Sequence, residues 1–284
     1  MRNLTFLTNE AHKVSARAFR EAFMEKTATW NVAIARCSTT EEAQQILNNK
    51  SHAYVTIPAF RSVLYEAGYV KGASARLTQG ADVLYRGGSN MIALSQCARS
   101  VVDTLEEQFI PIYGARVVIV GSSGAAFDVA YECSRAGVDE VILLDADKDR
   151  VRNNLEAFLN AFGKTRMQIL DTEQARVGHL SAVRAYEHTK FLYGSLTGAR
   201  ARVKHADIII GMLPSAQTKR YEKDLMAWPL HSSQIICGLW ADSDMPLLRR
   251  AQEQACDMVS MNDVMGTWGS AAADLLIEFG NASL

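Results

Sequence analysis

The chain of 284 residues is 48% hydrophobic and 21% charged with only 5 prolines, which supplies a sizeable core and excludes a disordered or small disulfide-stapled protein. Thirty Lys and Arg oppose 31 Asp and Glu for a formal charge of -1, so no global basic field draws nucleic acid or an anionic membrane surface. Small-molecule chemistry is the class that remains, and the length suggests two domains rather than one.

The opening MRNLTFLTNEAHK turns polar after a few apolar residues and lacks the apolar run of a signal peptide. No apolar stretch approaches the ~20 residues that span a bilayer, so a cytoplasmic protein is expected. Downstream, Trp30 to Arg36 and Ala53 to Ile57 read as strands. Between them a helix runs from Thr40 to Asn48, entered through Ser38-Thr39-Thr40 with Glu41 and Glu42 in its first turn. Ser95 to Phe109 reads as a long helix that carries the chain from a first domain into a second.

The strongest local signal begins at Gly114. Ala115 to Val120 is a β-branched run, Gly121 to Ala126 a small-residue turn, and Phe127 to Gly137 a helix ended by its glycine. Val141 to Leu144 forms a second strand that stops at Asp145, giving a βαβ unit. A helix from Lys148 to Phe162 follows, and Met167 to Leu170 reads as a third strand. After a poorly patterned stretch from Asp171 to Arg202, Ala206 to Gly211 and Gln234 to Leu239 add two buried strands to the same parallel sheet. Trp268 to Phe279 is an apolar final helix.

The turn Gly121-Ser122-Ser123-Gly124-Ala125 precedes a helix, where backbone N–H groups and the helix dipole favour a phosphate. Asp145 ends the next strand, where a carboxylate accepts ribose hydroxyls and repels a 2′-phosphate, so NAD is favoured over NADP. Lys148 and Arg150 read as solvated charges on a first helical turn, and Arg200, Arg202 and Lys204 as a solvated approach to the next strand. The five cysteines, Cys37, Cys97, Cys133, Cys237 and Cys256, lack the close pairing of zinc or dithiol sites and read as buried reduced thiols. The six histidines are dispersed without an HExxH pair, so no metal is expected.

Six segments in chain order resemble motifs of the shikimate dehydrogenase family over nearly the whole chain. They are Val55-Thr56-Ile57-Pro58, Gly80-Ala81-Asp82-Val83, Gly121 to Ala126, Ala206 to Pro214, Met245-Pro246-Leu247-Leu248, and Met265-Gly266-Thr267-Trp268 at the start of a terminal helix. The resemblance implies an α/β protein of two lobes. A Rossmann-type doubly wound dinucleotide-binding domain, 101–261, is inserted in a smaller α/β substrate domain, 1–100 plus 262–284, closed by the C-terminal helix. It places Gly211, Met212 and Leu213 at the cofactor, with Met212 against the nicotinamide.

The catalytic positions depart from that family. Its lysine falls on Phe60, its partner aspartate on Gln96, and its terminal-helix glutamine on Ser270. Neither Phe60 nor Gln96 accepts a proton near neutral pH, so shikimate oxidation is not expected. The family's carboxylate-holding serine pair falls on Lys13-Val14-Ser15, and Thr56 matches its motif threonine. Lys13, Ser15, Thr56, Gln96 and Ser270 are the candidate substrate residues, with Lys13 also the candidate proton carrier. Arg61, Asp82 and Tyr85 read as surface or structural groups. The expected function is an NAD-dependent oxidoreductase acting on a small anionic, carboxylate-bearing molecule other than shikimate, with a homodimer as an admissible assembly. The alternatives are a non-catalytic dinucleotide-binding sensor or partner subunit, and a non-redox enzyme that keeps the fold.

Overall fold

The computed structural model describes residues 1–170, 188–213, 215–239 and 246–282. Pro214, Met245 and residues 171–187, named in the reading above, lie outside the described residues. The chain divides into two compact units, Met1–Thr104 with Asn262–Leu284, and Leu105–Met261.

In the first unit the elements are β1 (Arg2–Thr8), α1 (Lys13–Lys26), β2 (Trp30–Arg36), α2 (Thr40–Ile46), β3 (Ala53–Thr56), α3 (Arg61–Ala67), β4 (Val70–Lys71), α4 (Ala73–Thr78), β5 (Val83–Gly87) and β6 (Asn90–Leu94). The helix α5 (Cys97–Glu107) follows. A six-stranded sheet runs in the order β2-β1-β3-β5-β6-β4. Strand β1 pairs in parallel with β2 and β3, whereas β5 is antiparallel to both β3 and β6. The start of α2 is fixed by its own sequence. Thr39 accepts the Glu42 N–H at 3.3 Å and the Glu42 carboxylate reaches back to the Ser38 N–H at 2.6 Å, which satisfies two groups a helix start leaves open.

The core of this unit is aromatic. Phe6 and Phe19 pack edge to face at 4.8 Å, and Trp268 of the C-terminal helix Met261–Ala282 meets Phe19 at 4.9 Å and Phe6 at 5.7 Å. The approach of this helix to α1 depends on Gly269, where an added Cβ would collide with the Phe19 carbonyl oxygen. The helix begins at Met261, so Met265 to Trp268 lie inside it rather than at its start.

The second unit holds β7 (Arg116–Val120), α6 (Gly124–Arg135), β8 (Glu140–Asp145), α7 (Lys148–Leu170), β9 (Lys190–Ser195), β10 (Ile208–Gly211), β11 (Ile235–Gly238) and β12 (Asp257–Ser260). All strands are parallel in the order β12-β11-β10-β7-β8-β9. Numbered from β7, this is the doubly wound order 3-2-1-4-5-6 of dinucleotide-binding sheets. Val117 to Val120 and Ile208 to Ile210 are almost wholly buried, because helices cover both faces of such a sheet.

One expected strand is absent. Met167 to Leu170 continues α7, and the third strand position is taken by Lys190–Ser195. A four-residue apolar run does not distinguish helix from strand, and no proline separates it from the helical spacing of Val151, Leu155, Phe158 and Phe162. Phe158 and Phe162 pack against Phe191 of β9 at 5.7 and 6.3 Å, which ties α7 to that strand. Arg200–Lys204 is a short helix whose Arg200, Arg202 and Lys204 are exposed, and Arg202 also donates to the Tyr193 carbonyl. No helix among the described residues is long and apolar enough to cross a membrane, and none of their His, Cys, Asp and Glu side chains form a metal-holding group of three or more.

Candidate functional site

In a doubly wound sheet the strand order reverses beside the first strand, and ligands sit outside the C-terminal strand ends there. That point lies between β7 and β10. Gly121 follows β7 with φ of 138°, a conformation reserved in practice for glycine, and donates its N–H to the Leu144 carbonyl at 2.7 Å. An added Cβ would press on the Met212 main chain at 3.3 Å. Met212 in turn donates to the Val120 carbonyl at 2.8 Å, so Gly121, Gly211 and Met212 are brought together. Leu213 departs from this group, since its side chain joins the hydrophobic core beneath.

Ser123 is the N-cap of α6 and its hydroxyl accepts the Ala126 N–H at 3.4 Å. Among the described residues the N–H groups of Ser123, Gly124 and Ala125 have no protein acceptor. Three successive donors at the positive end of a helix form a fitting cradle for a pyrophosphate.

Asp145 ends β8 and is only 2% exposed. Its carboxylate is engaged inside the protein. Ser122 Oγ donates to Oδ2 at 2.5 Å, Arg150 Nη2 forms an ion pair with Oδ1, and the Asp147 N–H approaches Oδ1 at 3.4 Å. Arg150 is thus ion-paired, while its side chain remains 46% exposed. It sits on the first turn of α7, placed there because Asp147 accepts both the Asp149 and Arg150 N–H groups at 3.0 Å. Asn154 fixes the turn from the next turn of α7 by donating to the Ser122 carbonyl at 3.1 Å.

The candidate substrate residues lie in the first unit. Lys13 opens α1 with its ammonium 3.5 Å from Glu10, which also pairs with Arg36 at 3.1 Å. Ser15 is buried, and among the described residues its hydroxyl has no hydrogen-bond partner. The Thr56 hydroxyl is occupied, its hydrogen shared between the Leu7 and Ile57 carbonyls at 3.3 and 3.2 Å. Gln96 donates to the Ala271 carbonyl at 3.2 Å, beside half-buried Ser270 on the C-terminal helix. Its Oε1 is buried without a partner. Phe60 ends the 3-10 turn Pro58–Phe60 and is buried.

Sequence reasoning missed the polar centre of this unit. Arg61 and Asp82 are 6% and 2% exposed and face each other, Nε to Oδ2, at 3.8 Å. Arg61 also donates to the Gly80 carbonyl at 3.2 Å and to Ser95 Oγ at 2.9 Å. Asp82 accepts the Gln96 and Cys97 N–H groups at 2.7 and 3.2 Å and the Ser95 hydroxyl at 3.2 Å, which makes it a cap for the start of α5. Burial pushes the Asp82 carboxyl up from its ordinary value against the pull of Arg61 and these donors, and pushes the Arg61 guanidinium down. Burial also pushes the Cys97 thiol up, so it is no thiolate nucleophile. The sequence signal was an arginine and an aspartate each set in an apolar run, with Gly80 leaving room for the guanidinium at 3.1 Å from an ideal Cβ.

No protein-family model and no curated protein matches the chain. Solved structures do. Shikimate 5-dehydrogenase from Listeria monocytogenes, solved with shikimate and NAD, aligns over 98% of this chain and 92% of its own at 13% identity and a TM-score of 0.70. The Thermus thermophilus shikimate 5-dehydrogenase, solved with NADP(H) and shikimate, aligns over 100% of both chains at 13% identity and a TM-score of 0.67. A 5-ketofructose reductase from Gluconobacter aligns over 98% of this chain and 93% of its own at 14% identity and a TM-score of 0.67. The chain has a shikimate dehydrogenase-like fold with a Rossmann-type unit.

Proposed function

We propose that the chain is an NAD-dependent oxidoreductase acting on a small carboxylate-bearing compound other than shikimate, with NADP the weaker cofactor. The observation that carries this reading is the Gly121 turn, whose Ser123, Gly124 and Ala125 N–H groups lack an acceptor among the described residues beside the buried carboxylate of Asp145. A nicotinamide dinucleotide, when bound, supplies the hydride acceptor or donor. The chain's residues hold its pyrophosphate on Ser123 to Ala125 and its adenosine ribose at Asp145, with Met212 beside the ring. The dinucleotide domain is taken as 101–261 and the substrate domain as 1–100 with 262–284.

Lys13 and Ser15 anchor the substrate carboxylate in this reading. Support comes from the Ser15 hydroxyl, which has no partner among the described residues, and from the long 3.5 Å pair between Lys13 and the exposed Glu10, which an incoming carboxylate can replace. Lys13 is also the candidate proton carrier, since Phe60 and Gln96 offer no acceptor. A second reading, a non-catalytic dinucleotide binder, is favoured by one observation: the Arg61–Asp82 pair of the first unit is engaged in internal contacts.

The test is a screen of small 2-hydroxy and 2-oxo acids for coupled change in nicotinamide absorbance, with shikimate and quinate as controls expected to give none. Turnover that Lys13→Arg keeps and Lys13→Ala loses identifies an anchor, and loss in both variants identifies a proton carrier, because arginine does not deprotonate. Robust turnover of shikimate refutes the substrate reading. Dinucleotide binding without turnover on any acid favours the second.

A further inference from the structure

The N-terminal ends of the strands in the second unit, opposite the Gly121 turn, carry a polar recess of their own. Arg116 opens β7, Glu140 opens β8 and Lys190 opens β9, and the three pair in register across neighbouring strands. Partners on adjacent parallel strands present their side chains on one face, with the strands about 4.8 Å apart, so a cation, an anion and a cation stand in a row. With Asp139 and His188 they line a recess of about 260 Å³. Its frame is fixed by the main chain. Arg116 donates its N–H to the Asp207 carboxylate at 2.7 Å, and Lys190 donates its N–H to the Asp139 carbonyl at 2.9 Å. Buried Thr189 donates its hydroxyl to the Val138 carbonyl at 2.9 Å, which leaves His188 and Lys190 on either side of it to line the recess. The charges are not used up within it. Arg116 and Glu140 pair at 3.4 Å, whereas the side chains of Asp139, His188 and Lys190 have no hydrogen-bond or ion-pair partner among the described residues.

We infer that this recess binds a small zwitterion of the α-amino-acid class, with its ammonium on Asp139 and its carboxylate on Lys190. The lining rejects the other classes of ligand. Every described side chain in it is polar, so a molecule with an apolar body gains nothing by entering. A plain anion meets Asp139 and Glu140 and a plain cation meets Arg116 and Lys190, and each like-charge approach is unfavourable. A divalent metal lacks its ligand set, because no three His, Cys, Asp or Glu side chains among the described residues form a group that could hold one. A molecule carrying both signs a few bonds apart satisfies Asp139 and Lys190 together, and the size of the recess calls for a small side chain such as that of serine. His188, donor or acceptor according to its tautomer, completes the polar lining. The site lies at the opposite strand ends from the Gly121 turn and does not depend on the dinucleotide reading.

Titration of the full chain's amide NMR signals with L-serine, ethanolamine, L-lactate and inorganic phosphate tests the site. L-Serine should shift the Arg116, Asp139, Glu140 and Lys190 amides saturably, with a dissociation constant of roughly 1–10 mM as two exposed charge pairs would give. Ethanolamine and lactate each keep one of the two charges and should bind roughly fivefold more weakly or worse. Asp139→Asn and Lys190→Gln should each weaken L-serine by a similar factor. Lys190→Arg keeps the charge and should retain binding, which separates loss of the contact from loss of the fold. The serine titration is read whether or not NADH binds, so this inference and the dinucleotide reading fail separately. Shifts that do not saturate, or that are confined to Lys13 and Ser15 or to the Gly121 turn, overturn the inference. So does lactate or inorganic phosphate binding as tightly as L-serine, which would mark a simple anion site.

Discussion

Breaking the Arg61–Asp82 pair should cost the first unit much of its stability. In Asp82→Asn the guanidinium, 6% exposed, loses its anionic partner while keeping the Gly80 carbonyl and Ser95 Oγ as acceptors, and the Gln96 and Cys97 N–H groups lose an anionic partner. Removing one member of a buried pair leaves an uncompensated charge and costs about 3–5 kcal/mol. Arg61→Met should cost a similar amount from the other side, leaving a buried carboxylate with three hydrogen bonds and no counterion. The double variant carries no unpaired charge and retains an acceptor for the helix start, so its cost should fall short of the sum by about 2 kcal/mol or more. Because two units need not unfold together, the assay is hydrogen exchange in urea read on peptides from β3 and β5, which report the free energy of this unit. Single variants within about 1 kcal/mol of the parent, or strict additivity, would refute the argument, since an exposed pair behaves in that way.

The buried thiols of Cys97 and Cys133 have raised pKa values from burial, so the unfolded chain releases these protons first and stability is present below about pH 9 and lost above it. Each thiol should contribute a slope of about 1.4 kcal/mol per pH unit in that alkaline window, and Cys133→Ala should flatten the fall of the melting temperature there even as it lowers the neutral value. In the native state near pH 8 an aromatic disulfide reagent should react slowly with Cys37, Cys133, Cys237 and Cys256, and fast reaction at any of them would contradict their burial. Gly269→Val should destabilise by about 1–3 kcal/mol or more through overpacking against the Phe19 carbonyl, whereas the same change at Gly266, which has open space, should be near neutral because valine is no worse a helix former than glycine. Urea midpoints of the two variants compare them directly.

The second unit was legible because its strands advertise themselves. Val117 to Val120, Val141 to Leu144 and Ile208 to Ile210 are continuous apolar runs buried on both faces, and Gly121 and Gly137 sit at positive φ where turns demand them. Strands that escaped reading carry mixed sequences for physical reasons. The edge strand β9 exposes alternate residues, β12 buries only Val259, and β1 places Thr5 and Thr8 in the interior, where polar letters mimic a loop. In the candidate site, the turn and the strand-end Asp145 follow from local pattern. The Arg61–Asp82 pair does not, because its members lie 21 residues apart and only the antiparallel pairing of β3 with β5 brings their segments together. The Asp145–Arg150 ion pair crosses a helix start, so neither the strand period nor the helix period links its two residues.

The cradle at the start of α6 is the central element, and hydrogen exchange with and without saturating NADH tests it most directly. Bound dinucleotide should slow exchange at the Ser123, Gly124 and Ala125 amides, which have no acceptor among the described residues, and in the Asp145 to Arg150 segment. Binding of NADH that leaves those amides unprotected, or protects only residues of the first unit, would contradict the account.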